Sequence, residues 1–137
     1  MPRLAFLHTA PVVAPVFAAL AKDLLPEANV VHLVDESLIG DTIRAGRLEA
    51  RAYRQVLALA QSAADAGADA VLATCSSIGP AVEWARAGLD VPLLRVDEAM
   101  ADEAVRLAAG GPIGVAATLS TTLAPTAALI RARAAAA

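Results

Sequence analysis

Apolar runs of strand length alternate along this chain with longer segments whose apolar residues recur at helical spacing. Residues 4–8 are a short apolar run ending in a polar loop. Pro11 then stands near the first turn of a helix reaching about Leu25, where Pro26 closes it. Residues 29–34 are a second, β-branched run, and the polar, glycine-punctuated stretch 35–46 predicts a loop with a short helix. A longer helix is expected from Arg47 to Ala66, ended by Gly67. Residues 69–74 form a continuous apolar run of the kind found in a strand covered on both faces. Ser76 or Ser77 can cap the helix that follows, through about Ala87, with Gly88 as its stop. The pattern ends with a fourth strand at 92–96, a helix at 97–109 that opens with acids, a fifth strand at 112–117 and a helix at 120–133.

Such repetition predicts an α/β fold: a parallel sheet with right-handed crossovers and helices on both faces. Functional groups in these sheets gather at the carboxyl ends of the strands. That rim would hold His8 and Thr9, Asp35 and Glu36, Cys75 with Ser76 and Ser77, Asp97 and Glu98, and the segment Thr118–Thr122. The chain also starts over: residues 4–20 are echoed at 113–129, with an offset of 109 positions at both Thr9/Thr118 and Leu20/Leu129. Two units are therefore expected, a first α/β lobe at 1–110 and the opening strand–helix unit of a second at 111–137.

Composition narrows the function classes. The hydrophobic fraction is 58%, much of it alanine, whereas aromatics make up 3%, too few for a base-stacking platform. With a net charge of -3 and no basic run, no nucleic-acid partner is expected. The start of the chain could pass for a secretory signal, but His8, Pro11 and Pro15 interrupt its apolar run. No run approaches the roughly 20 apolar residues of a membrane span, so a soluble protein without a membrane partner is expected. A single cysteine excludes an internal disulfide framework and agrees with a reducing, cytoplasmic location.

Cys75 is the first candidate for chemistry. It follows a buried strand and precedes a helix, where backbone amides and the helix dipole favour a thiolate that can take a proton or attack carbon. Ser76 and Ser77 add hydroxyls and amides suited to a carboxylate. The competing reading is a small buried hydrophobe beside two helix-capping serines. His8 ends the first strand and is read either as an acid/base or as a hydrogen-bonded loop residue. His32 lies inside a strand and is expected to be structural. Thr118, Ser120, Thr121 and Thr122 form a hydroxyl-rich loop, either an anion cradle or ordinary helix caps. The acidic pairs at 35–36 and 97–98 are read as caps and rim charges, and Arg47, Arg51 and Arg54 as a solvated helix face. No glycine-rich nucleotide loop follows a strand, and two distant histidines with one cysteine make no zinc spacing. No metal and no cofactor are expected.

Three segments, Gly67–Gly79, Val91–Met100 and Pro112–Thr121, resemble in order the aspartate/glutamate/hydantoin racemase superfamily. They are similar to its "GAD, apolar strand, cysteine" block, its "VP, strand, acidic turn" block and the "IGV-x-x-T-x-x-T" opening of its second domain. The resemblance implies a flavodoxin-like lobe, one of two pseudo-symmetric lobes enclosing a small carboxylate substrate without a cofactor. It implies that Cys75 is the first-lobe acid/base, with Ser76, Ser77, Thr118 and Thr121 on the substrate carboxylate and His8 and Thr9 at the first binding loop. It also implies two cysteines for racemisation, and only one is present here. A racemase or isomerase acting on a small carboxylate is therefore the leading expectation. A single-cysteine decarboxylase, a cis–trans isomerase of a diacid, a hydrolase in which His8 activates Cys75, and a non-catalytic carboxylate-binding lobe stand beside it. A homo-oligomer, for instance a dimer through exposed apolar helices, is expected.

Overall fold

Four of the apolar runs become strands, each satisfying its backbone polar groups against a parallel neighbour. They are β1 (Arg3–His8), β2 (Asn29–Val34), β3 (Ala70–Ala73) and β4 (Leu93–Arg95), in the spatial order β2-β1-β3-β4. The computed structural model describes residues 1–137. Its six α-helices are α1 (Ala14–Leu24), α2 (Glu36–Ala45), α3 (Ala50–Asp65), α4 (Gly79–Ala85), α5 (Glu98–Ala108) and α6 (Ser120–Ala136). From β1 the chain steps outward to β2, then crosses back to β3 and on to β4. This is the order of a flavodoxin-like, doubly wound sheet, and its direction reverses between β1 and β3.

Strand alternation sends side chains to two different environments. Ala5 and Leu7 of β1 join Val71, Ala73 and Leu93 in a cluster covered by Leu38 of α2, Val56 of α3 and Val82 of α4. Eight of its fifteen residues are alanine, which lets α3 and α4 lie close on the sheet. Phe6 and His8 point the other way, stack with His32 and meet Phe17 of α1 at ring-centroid distances of 5.3 and 5.6 Å. Helices thus cover both faces, as the pattern required.

Three local expectations change. The segment after Asp35 is a full ten-residue helix, because Asp35 accepts the Ser37 N–H at 2.9 Å and Gly46 ends the helix at φ 69. The next helix begins at Ala50, so Arg47 lies in the connecting loop and not on a helix face. The strand expected at 112–117 does not form. A strand needs a ladder partner, and this segment instead places Ile113 and Val115 against a small cluster of Ala101, Leu129 and Ile130 between α5 and α6.

Candidate functional site

The carboxyl ends of β1 and β3 meet at the point where the sheet reverses direction, and the candidate residues distribute themselves around that crevice. His8 is the last residue of β1 and is fully buried. Its Nδ1 lies 2.7 Å from Thr74 Oγ1 and its Nε2 lies 2.9 Å from His32 Nδ1. The Thr74 hydroxyl donates to the Leu7 carbonyl at 3.2 Å, so it accepts from the His8 Nδ1–H. His8 Nε2 then accepts from the Nδ1–H of His32. Burial, reinforced by the neighbouring His32, holds the His8 pKa below its ordinary value of 6.5. His8 is a neutral, doubly bonded imidazole. Thr9, next in the chain, is also buried.

Cys75 occupies the opposite side of the sheet. It packs, half-buried, against the cluster beneath α3 and α4. With φ -126 and ψ 120 it is the N-cap of a 3-10 turn, Ser76–Ile78, that runs into α4. Its sulfur accepts no capping hydrogen bond. Since both nitrogens of His8 are engaged on the α1 face, the structure does not join His8 to Cys75, and a His8-activated nucleophile has no geometric basis here.

Ser77 and Thr121 are brought together. The Ser77 hydroxyl, almost fully buried, lies 3.2 Å from Thr121 Oγ1 and 3.0 Å from Thr122 Oγ1. These bonds fasten the turn after β3 to the first turn of α6. Ser76 is half-buried on the same turn, while Thr118 is exposed before α6 and joins neither group. A cleft of about 290 Å3 opens beside this junction, lined among others by Arg47, Tyr53, Ser77, Ser120 and Thr121. Arg47 is exposed and pairs with Glu49, also exposed, at 3.3 Å, the kind of surface pair that costs little to exchange for another anion. The arginine read from sequence as part of a solvated helix face thus lines the same cleft as the hydroxyls. Only the fold could reveal that, because 30 residues separate Arg47 from Ser77.

The acidic pair at 97–98 is more than a cap. Asp97 is buried against Arg95, and Glu98 accepts from Arg86 at 2.7 Å, Arg133 at 2.9 Å and the Arg95 N–H at 3.0 Å. Burial alone would raise the Glu98 pKa, but the Arg86 and Arg95 hydrogen bonds and the Arg86 and Arg133 charges outweigh it. The carboxyl is held below its ordinary value. Through Glu98, β4, α4, α5 and α6 are tied at one point.

The architecture is that of an α/β lobe with a cysteine directly after its third strand. Residues 9–137 match the Asp/Glu/Hydantoin racemase family, and the chain belongs to it. That membership supports a racemase- or isomerase-type function. A comparison with curated proteins finds no match. No helix is long and apolar enough to cross a membrane.

Proposed function

We propose that this protein is a cofactor-independent racemase or isomerase of small carboxylates in which Cys75 moves a proton at the carbon next to the carboxylate. The observation that supports this most directly is the position of Cys75, partly exposed at the start of the turn after β3, at the sheet's reversal point. Family membership adds to it. A thiolate there would take the α-proton, and the developing enolate charge needs donors nearby. The Ser76 and Ser77 amides at the start of the turn and the hydroxyl of Thr121 are groups suited to that charge, and the cation of Arg47, on the rim of the cleft, is suited to the substrate's own carboxylate. Residues 111–137 we read as the opening of a second lobe.

The chain carries one cysteine, so one copy supplies one thiol base. The minimal reaction is therefore exchange of the α-proton with solvent, and full racemisation requires a second acid on the other face of the substrate. The test is proton NMR in deuterium oxide with a panel of small amino and hydroxy acids. Cys75-dependent loss of an α-proton signal, absent in Cys75→Ala, is the expected result. Equal exchange by the wild-type and Cys75→Ala chains would remove the proposal. Release of carbon dioxide in place of exchange would assign the same thiol to decarboxylation.

A further inference from the structure

Gly79 is the first residue of α4, and its φ of -49 and ψ of -47 are ordinary helical values open to any residue. Its lack of a side chain has another cause. A Cβ on Gly79 would collide with Cζ and Nη2 of Arg95 and come within 2.8 Å of Nε. The guanidinium therefore lies directly against the glycine. It cannot easily retreat, because every one of its nitrogens is held: Nε and Nη2 by the two Asp97 oxygens at 2.9 and 2.8 Å, and Nη1 by Glu83 at 2.6 Å. The Arg95 and Asp97 side chains are 3% and 4% exposed, so this is a desolvated, bidentate pair with one outer partner.

The glycine is also the hinge of the candidate site. Its N–H donates to the Ser76 carbonyl, closing the 3-10 turn for which Cys75 is the N-cap. We infer that Arg95, pinned by Asp97 and Glu83 and seated on Gly79, is the positioning residue that fixes the Cys75 turn relative to the cleft. The guanidinium is anchored by Asp97 between the end of β4 and the start of α5 and by Glu83 further along α4, while the turn before Gly79 is short and carries the reacting sulfur. Arg95 touches no substrate in this reading, because its side chain is buried and each of its three nitrogens already donates to a carboxylate. Its function is geometric: it sets where the amides of Ser76 and Ser77 sit beside the sulfur. The inference deepens the acid/base assignment of Cys75 and takes its functional meaning from it.

Cys75 is the chain's single thiol, so its alkylation by iodoacetamide reports on this turn alone, with no substrate needed. In the full chain, Gly79→Ala is expected to lower Tm and to change the alkylation rate constant by about tenfold. An unobstructed helical glycine would respond to alanine with a higher Tm and an unchanged rate. Adding Arg95→Lys, which replaces the planar fork with a slimmer ammonium that can withdraw, is expected to return the rate toward wild type. A raised Tm in Gly79→Ala, a rate within about twofold of wild type, or a double variant no closer to wild type than Gly79→Ala would each overturn the inference. Should Gly79→Ala fail to fold, Glu83→Ala removes only the solvent-side partner. It is then expected to change the rate several-fold at unchanged Tm, and an unchanged rate overturns the inference. If wild-type protein shows no α-proton exchange while these shifts appear, the acid/base assignment falls and the clamp stands.

Discussion

His8 and His32 share a single hydrogen bond, 2.9 Å from Nε2 to Nδ1, and the threonine behind His8 decides which of them carries the shared proton. Because Thr74 donates to the Leu7 carbonyl, His8 must give it the Nδ1–H and keep Nε2 as an acceptor. A proton added to His8 would place a charge on a buried imidazole beside a second histidine.

Stability should therefore fall in mild acid. His8 titrates below its ordinary 6.5 in the folded chain, so the unfolded state binds the proton first. The contribution is complete above pH 6.5 and is lost progressively as the pH drops below it. His8→Asn keeps a donor for Thr74 but cannot charge, and should flatten this part of the profile. Chemical denaturation at pH 8, 6.5 and 5.5 checks it; a wild-type curve that is level over that span contradicts the argument.

A second loss is expected in stronger acid. Glu98 titrates below its ordinary 4.5 when folded, so its stabilisation is present above pH 4.5 and disappears as the pH falls through the folded value. At neutral pH, Glu98→Ala leaves Arg86 and Arg133 without their shared acceptor and should cost about 2–3 kcal/mol. Thermal melts of the variant beside wild type measure the difference, and a change under about 0.5 kcal/mol would mean the network is a surface ornament.

Ser77→Ala removes the acceptor and donor that Thr121 and Thr122 share. It should cost about 1 kcal/mol and release the first turn of α6 from the turn after β3. Hydrogen exchange of the α6 amides is the readout, with faster exchange confined to the N-terminal end of that helix. Unchanged protection there would show that α6 is held by other contacts.

Cys75→Ser and Arg47→Ala separate chemistry from folding. Cys75 is half-buried in a loop and Arg47 is exposed, so each substitution should change stability by less than about 1 kcal/mol. Cys75→Ser should abolish α-proton exchange, whereas Arg47→Ala should raise KM with kcat little altered, the mark of a lost ground-state contact. An Arg47→Ala chain with an unaltered KM would leave the cleft without its cation.

Four strands of the sheet and the place of its rim were legible in the order of the residues. Short apolar runs between helical patterns point to a parallel α/β lobe, since strands buried on both faces read as continuous apolar segments. Cys75 after the third such run could be located at a strand end without any coordinates, and the family blocks around it were legible for the same local reason. What the tertiary structure decided were the relations between distant segments. His32 became a hydrogen-bond partner of His8 through the β1–β2 register, which pairs Phe6 with His32. Arg47 came to line the same cleft as Ser77 because α2 ended at Gly46, and Asp97 and Glu98 became the centre of an ion-pair network because α4, α5 and α6 converge on them. The strand expected at 112–117 failed for the converse reason. Propensity can make a segment extended, but only a neighbouring strand with free amides and carbonyls makes it part of a sheet.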